Sequence, residues 1–183
     1  MSTLKPSSAP KAPTPRWGFI AWLFIALALI VVDQLSKYYF DSQLNYAERW
    51  AVLPFFDFTL LYNPGAAFSF LADGAGWQRW FFTGVAFVAT VLIIQMLRKQ
   101  PHQTRFCLAL SLILGGALGN VIDRLWHAHV IDFLLFYWRD WYFPAFNVAD
   151  IAITCGAILL ILDELIRLRQ QKKAKESHAS LSK

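Results

Sequence analysis

Four apolar runs constrain this chain more than any other feature: Trp17 to Val32, Trp77 to Leu97, Phe106 to Ile122 and Phe146 to Ile166. A helix satisfies its backbone hydrogen bonds within one segment, which hydrocarbon demands. Runs of about twenty residues match a core of roughly 30 Å. With 57% hydrophobic and 16% charged residues, the chain lies outside the soluble range. The expectation is a polytopic membrane protein with spans at about 17-37, 77-97, 106-123 and 146-166. One domain, 17-167, holds them, between a disordered, Pro-rich basic arm at 1-16 and a basic tail at 168-183. A cleaved signal peptide is the rival reading of the first run, since charge precedes apolar residues. The run is long, however, and Asp33-Gln34-Leu35-Ser36-Lys37 continues it as helix rather than as a small-residue cleavage site.

Basic residues set the topology. The N-terminal arm and the 98–105 loop carry three each, and the tail from Asp163 carries six against three acidic residues. Segment 37–79 has three basic against four acidic residues, and 123–150 has two against four. The positive-inside rule puts both termini and the central loop in the cytoplasm, with segments of about 41-76 and 124-145 outside. Eight Trp and sixteen Phe suit anchoring at the lipid–water interface. The modest net charge of +5 brings no groove-reading or stacking motif, so nucleic acid is not an expected partner.

Carboxylates near a membrane core cost roughly 2.5–3.5 kcal/mol on insertion scales and need a reason. Asp132 (HVIDFLLF) and Asp150 (FNVADIAI) sit in almost wholly apolar settings. Both fall on the outer side, one in a loop and one at the start of the fourth helix. Two carboxylates brought together share a proton. One then activates water while the protonated one polarises a carbonyl, which hydrolyses a peptide bond without metal or covalent intermediate. His127-Ala-His129 lacks metal-site spacing, Ser69 lacks a nucleophile motif, and there is no P-loop. Cys107 and Cys155 fall inside apolar runs and read as packing residues. No cofactor is expected.

Other residues carry two readings each. Asp33 and Lys37 share a helix face, either as a local ion pair or to orient a neighbouring loop of the site. Trp50 to Leu61 is β-like. Asn63-Pro64-Gly65 is a turn signal, and Asn63 is either a turn residue or a polar group aimed at substrate or at the carboxylate pair. Ala66-Ala67 would admit another chain closely. The aromatic segment 133–146 is an interfacial anchor, a lid over the site, or both. Gly115, Gly116 and Gly119 would let helices approach in lipid.

GNVIDR, HVIDF and FNVADIAI, preceded by YNPGAAFSF and the Asp33…Lys37 helix, resemble bacterial lipoprotein signal peptidase (signal peptidase II). The resemblance runs from about Trp17 to Arg167, with the motifs in family order. It implies four transmembrane helices with a small extracytoplasmic β-cradle and a short periplasmic helix or lid, an all-α membrane class overall. It also implies an aspartic endopeptidase of the bacterial inner membrane, active at the periplasmic side as a monomer. Its substrate would be a diacylglyceryl-modified prolipoprotein, cut just before the lipid-bearing Cys, and its inhibitor globomycin. By motif, Asp132 and Asp150 match the catalytic pair. Asn63, Gly65, Asn120, Arg124 and Asn147 match substrate-binding positions, and Asp33, Lys37 and Asp123 supporting ones. Many members carry Thr at position 64, where this chain has Pro. A proton-coupled carrier would instead predict ionisable groups at mid-span and broken helices or inverted repeats, and the sequence has neither. A non-catalytic scaffold would not need the two isolated carboxylates.

Overall fold

The computed structural model describes residues 16–65 and 76–181. Four helices and a small sheet alternate along the chain: α1 (Arg16–Gln43), β1 (Arg49–Leu53), β2 (Phe56–Asn63), α2 (Trp77–Lys99), α3 (Thr104–His127), β3 (Val130–Trp138), β4 (Trp141–Tyr142) and α4 (Val148–Leu181). Among the described residues, three helices are long and apolar enough to cross a membrane: α1 from Gly18, α2 and α3. The fourth helix carries Asp150, Asp163 and Glu164 within one span length.

The third helix is the centre of the bundle. Its apolar window is 56% buried, against 11% for α1 and α2, and it packs on all three other helices. Glycines set the approach. A Cβ on Gly115 would stand 2.8 Å from the Ala26 carbonyl oxygen of α1, and one on Gly116 would strike the Ala149 carbonyl of α4. The expected close helix contacts therefore exist, and the Gly116–Ala149 contact falls beside Asp150. Phe24, Leu27, Phe87, Val88, Ile158 and Ile161 face outward, as lipid-facing side chains do. At the far end Ala26, Ile93, Leu97, Cys107, Leu110 and Leu114 form an apolar core.

The β-like run divides into a hairpin at Pro54-Phe55, where proline removes a ladder donor. The sheet is antiparallel in the order β1-β2-β3-β4. One face packs on the end of α1: Leu60, Ile131 and Phe133 cluster with Phe40 and Leu44, and Phe40 stacks on Phe133 at 4.5 Å. The other face carries Thr59, Leu61 and Asn63 of β2, in the alternation a strand imposes, with Asp132 of β3 opposite Leu61.

One expectation needs correction, and two segments gain detail. Asp132 lies in a strand, not a loop: Ala128 in the left-handed conformation (φ 68°) ends α3 and turns the chain into β3. Much of the aromatic segment 133–146 belongs to the sheet, because Phe133 to Trp138 continue that strand and alternate between its faces. The tail after Arg167 continues α4 helically to Leu181, since it holds strong helix formers and no breaker. The short periplasmic helix is not among the elements of the described residues. Ala66, Ala67 and Ser69 lie outside those residues, as does the arm before Arg16.

Candidate active site

The site is assembled by caps. Asn147 precedes α4 and caps it: the Asp150 backbone N–H donates to Asn147 Oδ1 at 3.0 Å. In return Asp150 Oδ2 accepts the Asn147 backbone N–H at 3.3 Å. This reciprocal capping box satisfies two orphan donors and fixes the carboxylate over the first turn. A third orphan, the Ala149 N–H, donates to Asp33 Oδ1 of α1 at 2.8 Å.

The opposite carboxylate is held from two sides. Asp132 Oδ1 accepts from Asn147 Nδ2 at 2.7 Å and its Oδ2 from Asn63 Nδ2 at 3.1 Å. Asn147 thus touches both carboxylates, and Phe146 delivers it by pairing back onto Leu134. Asp150 Oδ1 accepts from Asn120 Nδ2 at 2.9 Å. Asn63 also closes its turn, its Oδ1 accepting the Gly65 N–H at 3.0 Å. Asn63 is thus both a turn residue and a polar group aimed at Asp132. Both Asp132 and Asp150 line one cavity of about 310 Å³, together with Asn63, Asn120 and Arg124. Burial pushes the Asp132 carboxyl up to about 7, the nearby Asp150 charge adds to the rise, and the amide donors of Asn63 and Asn147 oppose it. A carboxyl there keeps a proton near neutrality, which is what a proton-sharing pair needs.

A buried ionic cluster stands behind the pair. Lys37 Nζ reaches Asp33 Oδ2 at 2.7 Å, Asp123 Oδ2 at 2.8 Å and Asn120 Oδ1 at 2.8 Å. All three ammonium donors are used, as a buried charge requires. The contact to Asn120 Oδ1 turns that amide so that its NH₂ faces Asp150. Asp33 and Lys37 are thus a local ion pair that also reaches the site's polar frame.

With this geometry in hand, likeness to known proteins becomes informative. Residues 25–166 match the family model described as Signal peptidase (SPase) II. The chain belongs to the signal peptidase II family. It is therefore a peptidase, and its apolar helices make it a membrane protein. The lipoprotein signal peptidase of Paraburkholderia phytofirmans is 51% identical over 169 residues, 92% of this chain and 98% of that one. That of Cupriavidus necator is 54% identical over 151 residues, 82% and 86% of the two chains. A solved bacterial membrane enzyme superposes with TM-score 0.71 at 30% identity, covering 79% of this chain and 87% of its own.

In this signal peptidase II chain the remaining expected residues divide. Arg124 Nη2 donates to the Gly65 carbonyl at 3.0 Å and Nη1 to the Asn120 carbonyl at 3.2 Å, with Phe82 against the guanidinium face. Its Nε is buried and has no partner among the described residues. Asp123 turns away from Arg124, its sequence neighbour. It meets Lys37 and accepts the Ile131 N–H at 3.2 Å, tying α3 to the strand that carries Asp132. Gln34 escaped sequence reasoning: its amide donates to Asp123 Oδ1 at 2.8 Å and to the Gly119 carbonyl at 3.1 Å. Its position beside Asp33, one face removed from Lys37, gave no distinguishing signal. Gly119 matters for the same cluster, since a Cβ there would meet Asp33 Oδ2 at 2.5 Å.

Proposed function

We propose that this chain cleaves signal peptides from prolipoproteins whose lipobox Cys already carries diacylglycerol, cutting just before that Cys. Asp132 and Asp150 act as the hydrolytic pair, sharing one proton. The ionised member takes a proton from water, whose oxygen attacks the scissile carbonyl carbon. The protonated member hydrogen-bonds the carbonyl oxygen and stabilises the developing tetrahedral diol. Proton transfer to the amide nitrogen then breaks the C–N bond, leaving a carboxylic acid on the signal peptide and a free amine on the lipid-modified Cys.

The observation that carries this reading is the placing of two carboxylates on one cavity, bridged by a single asparagine, in a chain of this family. Asn63, Asn120, Asn147 and Arg124 bind and orient substrate beside the pair, with Gly65 supplying backbone. Asp33, Lys37 and Asp123 hold that frame. The cavity runs along Ile151, Thr154 and Cys155 of α4, all three exposed on the lipid side. A substrate held in the same leaflet by acyl chains and signal helix reaches such an opening by lateral diffusion, and anchoring supplies local concentration. In this reading α4 is the fourth span, both termini face the cytoplasm of a bacterial inner membrane, and the site opens on the periplasmic side. Residues 143–146 border the cavity as a cover. The chain acts as a monomer, and globomycin blocks the pair.

The test is a gel-shift assay of purified protein on a model prolipoprotein, with and without prior diacylglyceryl transfer. Cleavage of the modified form alone, lost in Asp132→Asn and in Asp150→Asn, is the expected result. Turnover by either variant at the wild-type rate rejects the pair. Equal cleavage of the unmodified form rejects the lipid requirement.

A further inference from the structure

Asp132 borders two cavities. The first holds both carboxylates and runs along α4. The second, about 550 Å³, lies over the sheet and is walled by Tyr46, Arg49, Thr59, Leu61 and Tyr142. The two share Asn63, Asp132 and the strip Phe143-Pro144-Ala145. A peptide whose scissile bond sits at the carboxylates has to leave in two directions, and the molecule offers one cavity for each.

We propose that the second cavity seats the residues that follow the scissile bond, the first few of the mature chain. This rests on reading Asp132 and Asp150 as the hydrolytic pair. Direction follows from chemistry. The first cavity opens between apolar side chains of α4, where acyl chains and a signal helix fit. The second sets tyrosines, a threonine and a guanidinium beside Leu61, Leu135 and Phe143 over the sheet, mixed surroundings that suit an extended segment heading into water. Strand alternation puts Thr59 and Leu61 on the face that also bears Asp132, with Arg49 opposite Thr59. A chain lying on this face therefore runs from the carboxylates outward over β2 to β1. About four residues span roughly 13 Å when extended, and the volume falls within the usual range of ligand pockets.

The wall is also fixed in advance. Arg49 pairs with Asp57 at 2.5 Å, donates to the Tyr142 hydroxyl at 3.2 Å and lies over the Tyr137 and Tyr142 rings. Its charge is already neutralised, so the seat offers aromatic surface and hydroxyls rather than a free cation. It favours an extended chain while tolerating varied side chains. Tyr142 adjoins the shared strip, so the same contacts hold the partition between the cavities.

The experiment compares two synthetic lipid-modified peptides with the wild-type protein. Both carry the same signal segment and diacylglyceryl Cys. One ends at that Cys as an amide, and the other continues for about four residues. Binding energy from non-reacting parts of a substrate should raise kcat/KM for the longer peptide by about tenfold. The joint Tyr46→Ala, Tyr142→Ala variant should bring that ratio towards one. A photoreactive residue placed third after the Cys should crosslink wild-type protein within residues 46–62 or at Tyr142. A wild-type ratio near one overturns the seat and leaves the hydrolytic pair standing, because the short peptide is still cut. An unchanged ratio in the variant, or crosslinks to α4 instead, overturns it equally. Cleavage of neither peptide by wild type rejects the hydrolytic reading, and the seat falls with it.

Discussion

Burial raises the proton affinity of Asp132, and that shift bears on both stability and turnover. An unfolded aspartate titrates near 3.9, whereas burial and the Asp150 charge push the folded Asp132 up to about 7. Between about 4 and 7 the folded chain therefore binds the extra proton. The stability it contributes is full below about pH 4 and is lost as pH rises through about 7. The melting midpoint of wild type in detergent should consequently fall relative to Asp132→Asn as pH rises from about 5 to 8. A difference that stays level across that range would mean the carboxyl is not raised. Because the mechanism needs one proton on the pair, kcat/KM should also decline on the alkaline side with an apparent pKa near 7. Asp140→Asn, in the exposed turn between β3 and β4, should leave the profile in place. Asp132 and Asp150 stood out in the sequence because apolar neighbours make a carboxylate conspicuous. Asp123 did not reveal its partner, because Lys37 belongs to another helix far back in the sequence.

Helix α4 and the strip before it carry the next level of control, since Asn147 both caps the helix and donates to Asp132. The two duties separate by substitution. Serine at 147 keeps a capping oxygen but loses the amide donor. Asn147→Ser should cost less stability than Asn147→Ala, which also removes a cap of roughly 1 kcal/mol. The serine variant still forfeits a charge-assisted hydrogen bond of about 1.5–3 kcal/mol, so kcat/KM should fall roughly 10- to 100-fold. Melting and turnover measured on one preparation check the split, and equal losses in both would reduce Asn147 to a cap. The α3–α4 contact makes a second demand. A methyl on Gly116 would strike the Ala149 carbonyl, one residue from Asp150. Gly116→Ala should cost about 1–3 kcal/mol by overpacking and displace that carboxylate, lowering turnover of the protein that remains folded. Wild-type values in both assays would show that the helices have room to part. The glycines and the Asn-Pro-Gly turn were legible because each has a local steric or hydrogen-bonding reason. The path of β3 was not, because its pairing with β2 is set by residues about seventy positions away.

Taken as a whole, the molecule has two polar ends joined by apolar helices. At one end lie the sheet, the carboxylates and the Lys37 cluster. At the other, Asp163 pairs with Arg105 at 3.2 Å and with Arg167 at 2.7 Å, Arg167 bonds Gln103, and Trp22 donates to the Pro101 carbonyl at 2.9 Å. Those contacts pin the basic 98–105 loop against the bundle, and α2 between the ends is 23 residues long, about 34 Å at 1.5 Å per residue. The span lengths and the bias of basic residues were both readable in the sequence. The Asp163 cluster was not, since it joins α4 to a loop about sixty positions earlier. The proposed function depends on sidedness, because it requires a lipid-modified Cys presented on the outer face. In a background with both native cysteines replaced by alanine, His102→Cys and Asp140→Cys report on opposite ends. A membrane-impermeant maleimide should label Asp140→Cys in intact spheroplasts and reach His102→Cys only after the membrane is opened. The reverse pattern would put the carboxylates on the cytoplasmic side, out of reach of a translocated substrate, and the hydrolytic proposal would fail with it.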